Sequence, residues 1–371
     1  MRILYIVTSL GVGGAERQTI SLAESMAARG HVVAVLSLKH AEQELPFRLP
    51  AMRLNMRKTP AGLWRALGFA RNFVTLFRPD ILHSHTFPGN IFARLLRLFI
   101  KRDGMAPVVI NTIHNVYEGG WCRKLIYRTT RSLADCITAV SEAAAKAHGS
   151  WSSGLPKEIR VVNNGVDTDF YTPDPVRRTR TRALMGTGEH FLWLAVGRIV
   201  RAKDYPNLLR AWLEVHREHP AARLWIAGEG YPDELTEGIL LSGEADRLGV
   251  EWLGLRRDVV DLFDAADGYV LSSAWEGMPL AVAEAMAMKK PVVATDAGGV
   301  REVLGDTGLL VPTGDSAALA EAMLAVMSMP RRQRAALGER ARERVLRYFS
   351  MESASSKWEE LYTEFVAPRE L

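Results

Sequence analysis

Apolar positions along this chain alternate between two regimes: short unbroken runs, and stretches in which they recur every three or four residues. The first run, Ile3 to Val7, leads into a Gly11-Val12-Gly13-Gly14 turn. After it Ala15, Thr19, Leu22, Ala23 and Met26 fall on one helical face that Gly30 can end. Strands are predicted next at Val32 to Leu38, Ile81 to His83, Val108 to Thr112, Cys136 to Val140 and Val161 to Val162, with helical stretches between them. Such alternation predicts a parallel sheet with helices on both faces. The pattern lapses over TPDPVRRTRTRALMGTG, Thr172 to Gly188, whose two prolines and charge run read as a linker.

A second alternation follows, with strands predicted at Phe191 to Val196, Arg223 to Ala227, Val250 to Leu253, Tyr269 to Leu271, Val292 to Ala294 and Leu309 to Val311. Beyond Ser316 the chain reads as helix nearly to its end, and Trp358, Leu361, Tyr362 and Phe365 form an apolar stripe that packs on something. Two doubly wound α/β domains in tandem are the expectation, since 371 residues exceed what one hydrophobic core usually holds.

Composition changes this little: 48% hydrophobic and 24% charged residues are ordinary for a soluble globular chain. Ile3 to Val7 is too short for a signal-peptide core, and no run approaches the roughly 20 apolar residues of a membrane span, so a soluble or peripheral protein is expected. Cys122 and Cys136 have neither metal-ligand spacing nor disulfide density, which favours a reducing, cytoplasmic compartment. Charge says more. Residues 1–170 hold 22 Lys and Arg against 12 Asp and Glu, whereas residues 171–371 hold 25 against 30. A basic first half suggests an acidic partner: phosphate groups, an anionic membrane surface or nucleic acid. Nucleic acid ranks last, because no aromatic platform or recognition motif accompanies the charge.

The richest stretch is WEGMPLAVAEAMAMKKPVV, residues 275–293. Pro279 favours the first turn of a helix, which places Glu276 in the preceding loop and Glu284 inside the helix; Lys289 and Lys290 fall in its last turn. The N–H groups around Gly277 to Ala281 would then face outward at a positive helix end, where a phosphate is welcome. Two solvated glutamates would give the same pattern. In GVGGAE, Glu16 stands where a dinucleotide fingerprint requires its third glycine, so the turn reads as a close backbone approach to another ligand or a tight strand-to-helix turn. Gly197-Arg198 follows a predicted strand and Lys203 lies in the same loop, placing two cations where a diphosphate could sit or forming a solvated basic loop.

Asp167-Thr168-Asp169 has the look of a metal site, but beside Asn164 and Gly165 it reads as a turn. His83 and His85 end a strand without a third ligand at useful spacing, so no catalytic metal is expected. His114 in TIHNVYEGG is a candidate site residue at a strand end, with simple loop capping as the other reading. Residues 89–104, GNIFARLLRLFIKRDG, read as a core helix with a basic face or as an amphipathic contact with anionic lipid.

Together these pieces resemble the retaining nucleotide-sugar glycosyltransferases of family 4, whose fold is the two-domain GT-B arrangement. The matching stretches are GGAER at 13–17, TIHN at 112–115, AVSEA at 139–143, VVNNGVDTDF at 161–170, VGRIVRAKD at 196–204, LWIAGEG at 224–230, WLGLRRDV at 252–259, EGMPLAVAEAMA at 276–287 and PVVATDAGGVREVL at 291–304. The resemblance implies two Rossmann-like domains facing across a cleft: an acceptor domain, 1–172, joined by a C-terminal helix, 350–371, then a linker, 173–188, and a donor domain, 189–349. It implies Glu284 on the ribose and Glu276 on the transferred sugar, with Arg198 and Lys203 on the diphosphate beside the backbone of Gly197, Gly277, Met278 and Leu280. Gly13 and Gly14 would approach the diphosphate, His114 the sugar and Arg256 the base.

The implied activity is transfer of a hexose or N-acetylhexosamine from a nucleotide-diphosphate sugar, with UDP the expected nucleotide, to a glycan or lipid-linked acceptor, without metal or other cofactor. A sugar-nucleotide 2-epimerase and a non-catalytic nucleotide-binding protein are the alternatives. A glycoside hydrolase built on Glu276 and Glu284 would not need the cations at 198 and 203. Two departures bear on the donor: Asp204 stands where many relatives have Gly, and Met278-Pro279 where many have Phe-Gly.

Overall fold

The computed structural model describes residues 1–11, 13–42, 44–100, 106–117, 119–149, 158–230 and 247–366. They form two compact units, Met1–Gly165 with Met351–Leu371, and Val166–Ser350.

The first unit is built on a parallel seven-stranded sheet of β1 (Arg2–Val7), β2 (Val32–Ser37), β3 (Ala51–Arg53), β4 (Ile81–His85), β5 (Val108–Ile113), β6 (Cys136–Ala139) and β7 (Ile159–Val161), in the order β3-β2-β1-β4-β5-β6-β7. Its helices are α1 (Gly14–Ala28), α2 (Pro60–Phe77), α3 (Thr86–Ile100), α4 (Trp121–Thr129) and α5 (Glu142–Gly149). Because side chains alternate across a strand, one sequence run feeds two cores. Leu4, Ile6, Ala34 and Leu82 pack with α2 and α3. Ile3, Tyr5, Val33 and Ile81 pack with α1 and with Trp358, Leu361 and Tyr362 of the last helix, Met351–Val366. The apolar stripe on that helix therefore closes the first unit, and Ser25 Oγ to Ser355 Oγ at 2.7 Å and Arg29 to Glu359 at 2.7 Å fasten its outer edge.

The second unit has a parallel six-stranded sheet of β8 (Leu192–Val196), β9 (Arg223–Ala227), β10 (Val250–Gly254), β11 (Gly268–Leu271), β12 (Val292–Thr295) and β13 (Leu309–Val311), in the order β10-β9-β8-β11-β12-β13. Around it lie α6 (Pro175–Leu184), α7 (Tyr205–Glu218), α8 (Val259–Ala265), α9 (Leu280–Ala287), α10 (Val300–Leu304), α11 (Ser316–Ser328) and α12 (Arg331–Tyr348).

Three sequence expectations change. Residues 173–188, expected as a linker, contain α6 within the second unit. Asp174 caps it by accepting from the Val176 N–H at 2.8 Å, and Pro175 sits at its first position. Its arginines are not a solvated run. Arg178 donates to the carbonyls of Asp264, Ala265 and Ala266, and Arg182 to that of Ala265, so both grip the negative end of α8.

Next, α9 begins at Leu280, with Pro279 as its cap at φ −77°, ψ 100°, and it ends at Ala287. Lys289 and Lys290 thus lie beyond it, Lys289 at φ +57°, and Lys290 Nζ bonds the Asp264 and Ala266 carbonyls instead. Finally, the basic face expected over 89–104 is largely internal. Arg94 is buried against Asn111 and Thr130, and Arg97 forks onto Asp135 at 2.7 and 2.9 Å. Lys101 and Arg102 lie outside the described residues.

Candidate active site

In the second unit the chain runs outward from β8 through β9 to β10, then returns to lay β11 on the other side of β8. Loops leaving the carboxyl ends of β8 and β11 diverge at this reversal, where open parallel sheets leave a crevice. Gly197 and Arg198 leave β8 there, and residues 272–276 leave β11. A 3-10 turn, Arg201–Lys203, carries Lys203 back so that its Nζ lies 2.6 Å from Glu276 Oε1. The same oxygen accepts from Ser273 Oγ at 2.6 Å. Ser272 Oγ donates to the Lys203 carbonyl at 2.8 Å, and Thr295 Oγ1, at the end of β12, donates to the Ser273 carbonyl at 2.6 Å. Two loops and a strand end are tied together around one carboxylate.

Glu276 is 9% exposed and Glu284 3%, so neither is a solvated surface residue. A buried carboxylate needs compensation, and Glu276 has it in an ammonium and a hydroxyl. Glu284 lies in α9, and Met278, just before that helix, is also buried. No side chain caps α9, and the N–H groups of Leu280 and Ala281 have no carbonyl within the helix to donate to. Gly277 precedes this turn. Arg198 is exposed and has no partner among the described residues. Arg256, in the loop after β10, is already engaged: its guanidinium forks onto Asp258 at 2.8 and 2.5 Å.

Space explains Gly197. A Cβ there would lie 2.9 Å from Lys203 Cε, while the Tyr205 hydroxyl donates to the Gly197 carbonyl at 2.7 Å and Gly228 packs directly on the Gly197 backbone. Asp204 takes a left-handed conformation, φ +46°, ψ +51°, which glycine would adopt without strain. Its carboxylate also accepts, at 3.4 Å, from the Asn207 N–H at the start of α7.

In the first unit the reversal lies between β1 and β4. Gly13 caps α1, and Glu16 of the same helix folds its carboxylate into the space a Cβ at Gly13 would fill; Gly14 opens the helix. His114, just past β5, is 6% exposed, and its Nε2 lies 2.9 Å from Nδ1 of His85 at the end of β4. Burial lowers the His114 pKa to about 4 and takes His85 well below its ordinary value. Both rings are therefore neutral near pH 7, one donating to the other, which is more than loop capping. His83 has both nitrogens engaged, by Tyr362 at 2.6 Å and Thr112 at 2.7 Å, so it is a core residue and not a ligand. Asp167 Oδ1 accepts from the N–H groups of Asp169 and Phe170 at 3.1 and 3.0 Å, the turn expected from the sequence.

Sequence reading missed Ser272, Ser273, Thr295, Tyr205 and Gly228, and considered His85 only as a metal ligand. Ser273 left a signal, a hydroxyl between a predicted strand and the Glu276 turn. Thr295 left none, since its partner lies 22 residues away.

The family described as Glycosyltransferase Family 4 matches residues 12–170, and that described as Glycosyl transferases group 1 matches 190–329. The two matches cover most of the chain. The protein belongs to the family 4 glycosyltransferases. It is similar to the putative glycosyltransferase EpsD of Bacillus subtilis, 28% identical over 86% of this chain and 84% of that one. It is also similar to the N-acetyl-alpha-D-glucosaminyl L-malate synthase of Bacillus anthracis, 26% identical over 95% and 94%. Among solved structures, HepE of Anabaena in complex with UDP superimposes with a TM-score of 0.83 at 20% identity, covering 98% of this chain and all of that one. The sucrose-phosphate synthase of Thermosynechococcus elongatus gives 0.82 at 20% identity, covering 99% and 100%. This glycosyltransferase therefore has the GT-B fold, two Rossmann-like domains, and is a transferase.

Proposed function

We propose that this glycosyltransferase moves a hexose or N-acetylhexosamine from a UDP-sugar, with retention of configuration, to a glycan or lipid-linked acceptor. The observation that carries the reading is the Lys203–Glu276–Ser273 cluster at the sheet reversal of the second unit. A nucleotide diphosphate brings negative charge, and Arg198, Lys203 and the opening amides of α9 offer the matching donors. Glu276 is assigned to hydroxyls of the transferred sugar, Glu284 to the ribose, and Arg256, released from Asp258, to the surroundings of the base. These cations and amides would stabilise the leaving diphosphate without a metal. One relative, named N-acetyl-alpha-D-glucosaminyl L-malate synthase, and HepE crystallised with UDP-glucose support the donor class.

An acceptor at an anionic, cytoplasmic membrane face is supported by α2 instead of by 89–104. Trp64, Phe69 and Leu76 are exposed on α2, Arg65 and Arg71 share that face, and residues 45–79 contain seven Lys and Arg and no Asp or Glu. No helix among the described residues is long and apolar enough to cross a membrane.

A thermal-shift comparison of UDP, GDP and ADP, with and without EDTA, tests the donor half. Stabilisation by UDP above the others, unchanged by EDTA, is expected. Equal or absent stabilisation, or its loss on chelation, contradicts the assignment.

A further inference from the structure

A polar cavity of about 460 Å³ lies in the second unit against the residues that lead into β8, β11 and β12, at the other end of these strands from Lys203 and Glu276. Strand β8 alone separates the two places by roughly 16 Å, at about 3.3 Å per residue. The cavity wall carries Arg178, Arg182, Lys289, Lys290, Arg331 and Arg334 against only Glu189 and Asp267.

Internal bonds use part of this charge. Arg178 and Arg182 hold the end of α8 and Asp267, and Lys289 pairs with Glu339 at 2.8 Å. Among the described residues the rest is only partly engaged, and Arg334 also lies over the Phe191 ring at 5.3 Å. Lys290 bonds two carbonyls, at 3.1 and 3.0 Å, which leaves its third N–H. Arg334 reaches the Met327 and Met329 carbonyls through Nη1 alone, and Arg331 is exposed with no partner among the described residues. Arg331 also opens α12, an 18-residue helix without a side-chain cap, so a positive dipole end meets the same wall. Burial, reinforced by Arg178 and Arg182 and opposed by Asp264 and Asp267, lowers the Lys290 pKa to about 8. An anion would reverse that.

We propose that this cavity binds a small phosphate-bearing molecule, as an anion site separate from the one around Glu276. Its size falls within the range of small-molecule pockets, and the unengaged donors, Arg331, the free edge of Arg334 and the third N–H of Lys290, suit a phosphate oxygen set. The site also adjoins the far end of α9, whose first turn and Glu284 belong to the strand-end site. The proposal does not depend on the donor assignment above.

The test is calorimetric titration of inorganic pyrophosphate into the full chain carrying Lys203→Ala, which weakens phosphate binding at the strand ends. The same titration is run with Arg331→Glu or Lys290→Gln added. Saturable binding to the first, at least tenfold weaker in both of the others, is the expected result. Arg331→Glu alters an exposed side chain without a partner among the described residues and should leave the melting temperature unchanged, so it remains informative if Lys290→Gln unfolds. No binding to the Lys203→Ala chain, or equal binding with and without Arg331→Glu, overturns the site.

Discussion

Lys203 Nζ and Glu276 Oε1 lie 2.6 Å apart although 73 residues separate them, and the pair sits where the second sheet reverses direction. The carboxylate is 11% exposed at its side chain and the ammonium 20%. Each helps compensate the other, with Ser273 also bonding the glutamate, and on the reading proposed a diphosphate entering the site would share the lysine with it. On the reading proposed, Glu276→Gln and Lys203→Ala should each lower turnover roughly tenfold or more, as loss of a charge-assisted contact of ~1.5 to 3 kcal/mol implies. Initial rates at saturating donor, compared with the melting temperature of each variant, separate this from simple unfolding.

The two glycines that meet at the end of β8 should respond differently to the same substitution. At Gly197 a Cβ would collide with the flexible Lys203 side chain, so Gly197→Ala is expected to displace the lysine and cut activity with little change in melting. At Gly228 the collision is with the Gly197 backbone, which cannot step aside. Gly228→Ala should destabilise by about 1 to 3 kcal/mol, as overpacking does. Denaturant unfolding of both variants checks the contrast.

Asp204 combines an unfavourable backbone angle with a long cap bond of 3.4 Å. Glycine would relieve the first and lose the second, so Asp204→Gly should change stability by no more than about 0.5 kcal/mol. Asp204→Ala loses the cap and keeps the strain, and should cost about 1 to 2 kcal/mol. Equal effects of the two substitutions would contradict this account of the left-handed turn.

The buried histidines of the first unit give a pH dependence with a definite sign. His83 and His85 are held well below the ordinary value and His114 and His148 at about 4, all chiefly by burial. The unfolded chain takes up protons at these residues near pH 6.5 and the folded chain does not. Stability is therefore complete above about pH 6.5 and falls as pH drops toward 4, with a limiting slope of about 1.4 kcal/mol per pH unit for each such histidine. Urea midpoints at pH 7 and pH 5 measure it, and His114→Gln should flatten the difference.

Much of this architecture was legible in the residues because parallel strands buried on both faces read as unbroken apolar runs. Ile3 to Val7 and Val108 to Thr112 were found this way, whereas β3, only three residues between Pro50 and Leu54, carries too little pattern. The stretch Thr172 to Gly188 misled because its arginines look solvated until α8, more than 80 residues on, supplies the carbonyls that hold them. Glu276, Glu284 and Lys203 could be named from spacing. Ser273, three residues before Glu276, bonds it within one loop, but that Thr295 holds the Ser273 carbonyl could not be read, since that bond depends on β11 and β12 becoming neighbours.

The most direct test of the central claim is release of nucleoside diphosphate from UDP-, GDP- and ADP-sugars by the wild-type chain and by Glu276→Gln, with and without membrane extract as acceptor source. UDP release that requires extract and falls at least tenfold in the variant is the predicted result. Equal release by both chains, or none from any donor, would contradict the site at the Lys203–Glu276 pair.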